Sequence, residues 1–451
     1  MSVFGTLWDT DFLKTPAEFA GNYKLVPYLK RLDYGTKIYL PGGGSLILSF
    51  LLLTLHGSLR AGLNLRIQPF PQMRGVDLET GASRTLLERL LDIQGGWGDD
   101  KAFDVMRKNT IIGLMLLVFC LVCRYSTPVA DFYAEHFYPL ISTVLSRIAS
   151  IVKFSLEEIV VLAFVVAFVN ILVRAIWKKE GFFKWLGKTA VVIMWLYVWS
   201  YMGWGNNYFR TGLYERSGIQ RVSYEPEVFR HFLDEYTLEL NRSSAQAGVC
   251  DRNELEQEVR ECYSSEMTRY GYTSLHNWQH VKTPLLNGLF SAVLVQGYMG
   301  PFFCESQVNR DLLENEYPYT AAHELAHLAG VTSEAEAGYW GYVFCRSSKN
   351  PAVRYSGYLG ILPYVLSNAG TLLSEQEYEA LTATLSDKVK TDYTEAREYW
   401  QGKRVGWIDK LQMWFYNLYL KSNGVSDGVK DYSGVVSMIM TMDANKRLIE
   451  I

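Results

Sequence analysis

Three uncharged apolar runs constrain the fold of this 451-residue chain more than any other feature. They cover Thr110 to Cys123, Ile159 to Val173 and Thr189 to Tyr208. Only the third reaches by itself the length of about 20 residues that a helix needs to cross a bilayer, but snorkelling or capping flanks can extend the other two. With 49% hydrophobic residues the chain is also rich for a soluble protein. We therefore expect three transmembrane helices in a lipid bilayer; the alternative is that the first two runs are buried helices of a soluble protein.

Basic side chains lie unevenly around these runs. Arg107 and Lys108 precede the first run. Five more occupy the link between the second and third runs, namely Arg174, Lys178, Lys179, Lys184 and Lys188. Because cytoplasmic loops carry an excess of positive charge, both segments are expected inside the cell. Three crossings then make this a multi-pass cell-membrane protein whose chain beyond Tyr208 is extracytoplasmic.

The chain is predicted to have three parts. Residues 1–105 are poorly defined, since their apolar core from Leu46 to Leu55 is too short to span a membrane. Residues 106–208 form the membrane domain, and residues 209–451 form a mostly helical domain. Met106 opens a charged and then apolar sequence typical of a signal anchor, so a natural start at Met106, with residues 1–105 not native, is a hypothesis that amino-terminal sequencing tests.

Four cysteines follow the third run, at Cys250, Cys262, Cys304 and Cys345. An even number in a segment expected outside the cytoplasm allows disulfides, and Cys250 with Cys262 would close a short loop. Free buried thiols are the alternative.

The sequence HELAH at residues 323–327 has the pattern of a metal site. His323 and His327 are four residues apart, so on a helix both imidazoles project from one face, with Glu324 beside them. Zn²⁺ in a hydrolase takes three protein ligands and leaves a position for water, whose pKa falls to about 7. We expect the two histidines to be ligands and Glu324 to be the general base, later the general acid. A chance match on an ordinary helix is the alternative.

Two carboxylates compete as the third ligand, Glu334 and Glu336. A helix restarting after Gly330 could direct either one back at the histidines, and we favour Glu336, with Glu334 as the second choice. The competing interpretation is that Glu336 caps its own helix, because Ser333 and Glu336 have the spacing of a capping box.

Four further polar residues are weaker candidates. Tyr355 and Tyr358 could stabilise an oxyanion, but packed rings are the commoner role for tyrosine. His276 and His280 are also four residues apart, without a glutamate beside the first. Solvated histidines are more usual than a second metal site in that pattern.

Several blocks, taken in order, resemble an uncharacterised bacterial membrane family catalogued as domain of unknown function 3810. The blocks are WGNNYFR at 204–210, GPFFCESQVN at 300–309, PYTAAHELAHLAG at 318–330, EAEAGYWGYVFC at 334–345 and YSGYLGILPYVL at 355–366. The resemblance runs from about Asn109 to the C terminus. It implies a membrane protein whose chemistry is inferred from HExxH alone. An E-A-N pattern of the family matches Glu336 and Ala337, which supports Glu336 as ligand, while Gly338 replaces the Asn.

The sequence thus predicts a mainly α protein, with three transmembrane helices followed by a zincin-like extracytoplasmic domain. The function expected is that of a Zn²⁺ metallopeptidase acting on a peptide or protein substrate. The alternatives are a zinc-stabilised binding or scaffold protein of the cell envelope and a zinc hydrolase of lipids or non-peptide amides. A net charge of −3 gives no support to a nucleic-acid partner.

Overall fold

The computed structural model describes residues 100–179, 181–222, 226–246, 248–425 and 434–445. The expectations for residues 1–105 therefore lie outside the described residues, except at the last six, which begin the first helix.

Helices dominate the described chain, which confirms the mainly α prediction. In chain order they are α1 (Asp100–Tyr125), α2 (Thr127–Phe132), a π-helical turn (Tyr133–Phe137), α3 (Tyr138–Ala149), α4 (Leu156–Trp177), α5 (Phe182–Gly203), a 3₁₀ turn (Gly205–Phe209), α6 (Leu213–Ser217), α7 (Pro226–Gln246), α8 (Arg252–Glu266), a 3₁₀ turn (Met267–Tyr270), α9 (Asn287–Ala292), α10 (Tyr317–Leu328), α11 (Glu334–Ser347), α12 (Pro351–Leu372), α13 (Glu375–Thr384), α14 (Asp387–Lys403), α15 (Gly406–Ser422) and α16 (Gly434–Ala444). Strands β1 (Gly297–Gly300) and β2 (Glu305–Val308) pair antiparallel between α9 and α10.

The described residues form two compact units. The larger unit contains Cys123–Glu158 and the described residues from Met202 onward. The smaller unit contains the described residues up to Val122 and Ile159–Tyr201. The chain leaves the larger unit early in α4 and returns to it at the end of α5.

Among the described residues, two helices are long and apolar enough to cross a membrane, over Lys108–Tyr125 in α1 and Leu156–Trp177 in α4. Only 17% and 6% of these windows are buried, so their apolar side chains face outward, as lipid-facing side chains would. The third predicted span, Thr189 to Tyr208, is helical only as far as Gly203, where α5 ends. The tryptophans, tyrosines and lysines of α5 lower its mean hydropathy, and it does not meet the same criterion.

The larger unit is built around α10, which packs against α8, α11, α12 and both strands. α10 ends at Leu328, and Gly330 follows with a φ of 104°, a left-handed conformation that glycine adopts without steric cost. A Cβ at Gly330 would also lie 3.2 Å from the ring of Tyr138, whose hydroxyl donates to the Leu328 carbonyl over 2.7 Å. The turn at Gly330 brings α11 back along α10.

All six cysteines of the chain are free thiols. Cys250 is partly exposed, and the other five are buried. The alternative of free thiols, rather than a Cys250–Cys262 disulfide, is therefore the one the structure supports.

Glu305 fixes the start of α4. Its Oε1 accepts hydrogen bonds from Lys282 Nζ at 2.6 Å and from the Leu156 amide at 3.3 Å, and its Oε2 accepts from the Glu157 amide at 2.8 Å. A carboxylate at a helix N-terminus satisfies amides that have no partner inside the helix. Because Glu305 is only 3% exposed, these bonds form away from water.

We expect Glu305→Ala to lower the free energy of unfolding by about 3–5 kcal/mol, because it leaves the poorly exposed Lys282 ammonium without its carboxylate. Equilibrium denaturation in detergent micelles measures the change. The matched control is Glu314→Ala, which removes the exposed partner of Arg252 and should cost about 0–1 kcal/mol. Equal losses in the two variants would show that Glu305 is not a structural anchor.

Candidate functional site

Three buried ligand atoms converge between α10 and α11. His323 Nε2 lies 3.1 Å from His327 Nε2, and Glu334 Oε2 lies 3.2 Å from each of these nitrogens. The two histidines meet because residues four apart lie on one face of α10, and Glu334 meets them because it is the first residue of α11. Within the described part of the chain this is the one group of three or more such side chains that could hold a metal ion.

The surroundings of His327 fix its orientation. Its Nδ1 lies 2.8 Å from the Val331 carbonyl oxygen, which can only accept, so Nδ1 carries the proton and the lone pair of Nε2 faces the cluster. Trp204 Nε1 donates to the His327 carbonyl oxygen over 2.8 Å. Burial lowers the pKa of the neighbouring His323, because a desolvated imidazolium is disfavoured. A neutral imidazole is the form that binds metals.

Glu324 lies beside the cluster, fully buried. Neither of its carboxylate oxygens has a hydrogen-bond partner among the described residues. Such a group is costly to bury unless a ligand or water meets it. Gly297 of β1 makes room for it, since a Cβ there would lie 2.5 Å from Glu324 Oε1. The strand therefore forms one wall of the space around this carboxylate.

Tyr416 of α15 holds the third carboxylate in place. Its hydroxyl donates to Glu334 Oε1 over 2.5 Å, while Oε2 faces the histidines. His323, His327 and Glu334 are 5%, 1% and 4% exposed, so α15 and its neighbours enclose the cluster almost completely.

Glu336, the sequence-based choice for third ligand, does not face the histidines. Its carboxylate accepts from the Tyr272 hydroxyl and from Trp340 Nε1, the latter over 3.4 Å. Side chains two positions apart in an α-helix are separated by about 200° around the helix axis. Glu334 and Glu336 therefore point in nearly opposite directions. Burial raises the pKa of Glu336, although Arg216 and the bond from Tyr272 act in the other direction.

The Ser333 hydroxyl is the N-cap of α11 and accepts from the Glu336 amide over 3.3 Å. Ser333 therefore marks the helix start, but the Glu336 carboxylate bonds to Tyr272 and Trp340, so the reciprocal bond that the capping alternative predicted for Glu336 is not the one observed. That start places Glu334 in the first turn and sets which carboxylate meets the histidines.

A cavity of about 180 Å³ adjoins Glu336. Its walls include Arg210, Arg216, Tyr272 and Ser333. A group in this cavity meets two guanidinium groups and one carboxylate, in a setting different from the three ligand atoms of the cluster.

The weaker candidates have other partners. The Tyr355 hydroxyl donates to Asp392 over 2.7 Å, and the ring of Tyr358 packs against Tyr236 with centroids 5.8 Å apart. His276 Nε2 lies 2.8 Å from Thr143 Oγ1. His280 Nδ1 lies 3.4 Å from Glu256 Oε2 instead, so the two histidines do not share a site.

Glu305, Asn309 and Gly338, which lie in the blocks of the family resemblance, have structural contacts. Glu305 caps α4, and Asn309 Nδ2 donates to the Val295 carbonyl over 2.9 Å, which ties the end of β2 to the chain before β1. A Cβ at Gly338 would lie 3.0 Å from the Tyr319 hydroxyl, so an asparagine there would need the neighbouring groups to move.

A family model described as "Protein of unknown function (DUF3810)" matches residues 133–440. The chain belongs to this family. The match covers the π-helical turn, the third predicted span and the whole cluster, and it begins later than the resemblance suggested. No curated protein and no solved structure matches the chain significantly.

Sequence reasoning missed Tyr416, Trp204 and Gly297. Trp204 stands in the WGNNYFR block, which was a usable signal, whereas Tyr416 is one of thirty tyrosines with no pattern around it. Gly297 lies outside the blocks that carry the resemblance, and no motif marks it.

Isosteric variants of the two glutamates test which one binds metal. Mutation of a residue that only hydrogen-bonds a metal ligand typically weakens metal binding by about 10–100-fold. We expect Glu334→Gln to weaken Zn²⁺ binding by more than this, because it removes the charge of a direct ligand. Glu336→Gln, the matched control, should keep about one metal ion per chain. Elemental analysis of the purified full chain measures both, with His323→Ala as the reference for a lost ligand. Metal loss in Glu336→Gln alone would reverse the assignment.

Proposed function

We propose that this protein is a membrane-anchored Zn²⁺-dependent hydrolase, with peptides as its favoured substrate class. The observation that carries the proposal is the approach of His323 Nε2, His327 Nε2 and Glu334 Oε2 beside the unpartnered carboxylate of Glu324. Two histidines and one glutamate are a donor set typical of catalytic zinc.

The distances suit such an ion. Ligand atoms at 2.0–2.1 Å from a tetrahedral Zn²⁺ lie about 3.3 Å apart, and the three atoms here lie 3.1–3.2 Å apart. The tautomer of His327, with Nδ1 donating to Val331, leaves Nε2 free for this role. A metal-bearing helix followed by a second helix that supplies the last ligand is the zincin-like arrangement we propose for this domain.

Zn²⁺ held there would polarise a substrate carbonyl and lower the pKa of a water molecule to about 7. Neither oxygen of Glu324 has a hydrogen-bond partner in the part of the chain that the structure describes. The carboxylate could therefore accept a proton from such a water molecule and return it to the leaving amine. Tyr416 keeps Glu334 oriented, and the surrounding side chains exclude bulk water, which strengthens every charge interaction at the site.

Chain connectivity supports three crossings. Residues 126–155, which link α1 to α4, belong to the same unit as the cluster, and Tyr138 bonds to Leu328 there. If α4 carries the chain across a bilayer, α5 must carry it back, because Trp204 already contacts His327. The basic residues between α4 and α5 favour a cytoplasmic link. The cluster then lies outside the cytoplasm, and the protein is a multi-pass cell-membrane protein.

A zinc-stabilised binding or scaffold protein is the second candidate. The enclosure of the cluster favours it, because a structural metal needs no access to substrate.

Glu324→Gln separates the two functions. We expect the variant to keep its metal and its fold and to lose hydrolysis by about 10²–10⁴-fold, because the amide cannot accept the proton. Mass spectrometry of a peptide library, and of lipid esters and non-peptide amides in parallel, measures turnover by the full chain in vesicles. Wild-type chain without turnover on any substrate, or Glu324→Gln with full turnover, would favour the scaffold.

Gly297→Ala tests the wall of the site. The added methyl group would overlap Glu324 Oε1 at 2.5 Å, so the carboxylate must move, and we expect turnover to fall at least tenfold with metal content unchanged. The control is Gly288→Ala, where a Cβ meets nothing within 4 Å. Unchanged turnover in Gly297→Ala would mean that the position of Glu324 does not limit the reaction.

A further inference from the structure

One face of α15 is apolar and exposed. Trp407, Leu411, Trp414 and Leu418 recur at intervals of four, three and four residues and are 72%, 50%, 61% and 41% exposed. The opposite face of the same helix is buried and carries Tyr416, which bonds to Glu334. α15 is therefore amphipathic, with its polar backbone bonds satisfied within the helix and four large apolar side chains left uncovered.

Two neighbouring segments present similar surfaces. On α3 and just after it, Leu140, Val144, Ile148 and Ile151 are exposed at helical spacing, and before and within α9 Leu285, Leu286 and Leu289 are each about half exposed. The amide of Val405, next to α15, donates to the Ala292 carbonyl at the end of α9 over 2.8 Å. Lys282 Nζ donates to the Ala149 carbonyl at the end of α3 over 2.7 Å. The three surfaces are thus tied to one another.

These surfaces lie at the ends of the two membrane-spanning candidates. Arg124, at the end of the Lys108–Tyr125 span, donates to the carbonyl of Ser422, the last residue of α15, over 2.5 Å. Glu158, at the start of the Leu156–Trp177 span, accepts from the amides of Leu285 and Leu286. α3 belongs to the link that joins these two ends. Arg124 and Glu158, the residues of the larger unit at the two span ends, therefore bond to the segments that carry the exposed apolar side chains.

We propose that this membrane face, made of the four α15 residues, the exposed residues of α3 and Leu285, Leu286 and Leu289, rests in the headgroup region of the lipid bilayer. Tryptophan is enriched at that depth, and amphipathic helices lie in the plane of the interface with their apolar face toward the acyl chains. A large exposed apolar surface of this kind marks an interaction site, and the bonds of its segments to Arg124 and Glu158 at the span ends favour lipid as the occupant. The proposal rests on the membrane location proposed above and not on hydrolysis.

Short-range quenching by lipid tests the proposal. The full chain is reconstituted in phosphatidylcholine vesicles with brominated acyl chains, and insertion is checked by flotation. We expect the Trp407→Phe, Trp414→Phe double variant to lose the quenched emission of these two side chains. The matched control is Trp400→Phe, which removes a tryptophan that is 1% exposed and bonded to Glu316, and it should lose only emission that lipid does not quench.

An unchanged quenched emission in the double variant would overturn the proposal. If Trp414→Glu also converts an oligomer to a monomer in detergent, the membrane face is instead a contact between two copies of the chain. A wild-type chain that does not float with vesicles would overturn the membrane location as well. Loss of peptide turnover alone, with quenching as expected, would affect the proposed hydrolase and leave the membrane face intact.

Discussion

Electron-rich atoms that approach within 3.2 Å repel one another unless a proton or a cation lies between them, and the larger unit is arranged to hold three such atoms together. The supports come from distant parts of the chain. Trp204 bonds the backbone of His327, Val331 orients its ring, and Tyr416 bonds the far oxygen of Glu334. Burial strengthens both the repulsion between these atoms and their attraction for a proton or cation between them.

Two residues of the larger unit stand next to α4 and α5 and bond to its other parts. Trp204 follows directly on α5, and Glu305, at the start of β2, caps α4. β2 packs against α10, which carries the histidines. The bonds of Trp204 and Glu305 lie within the larger unit, which also holds the cluster.

The helical repeat and the glycine turn made part of the cluster predictable from the sequence. The pairing of His323 and His327 follows from the helical repeat, and the turn at Gly330 follows from the freedom of glycine to adopt a positive φ. The choice between Glu334 and Glu336 depends on the residue at which α11 begins, and an error of two residues turns a side chain to the opposite face. Tyr416 and Trp204 are 82 and 123 residues from their partners, and no local pattern encodes such contacts. The mean hydropathy of α5 is lowered by its tryptophans and tyrosines, which combine apolar rings with polar tips.

If the proposed metal ion binds to the cluster, the enclosure by α15 sets an order for assembly. An ion that binds His323, His327 and Glu334 must arrive before Tyr416 docks, or must wait for α15 to lift, because these ligands are at most 5% exposed in the closed form. α15 is also translated after α10 and α11, so a nascent chain presents the ligands while they are still open. Once closed, the site would exchange its ion only as fast as α15 opens, so kinetic retention, and not equilibrium affinity alone, would protect a loaded chain from competing chelators.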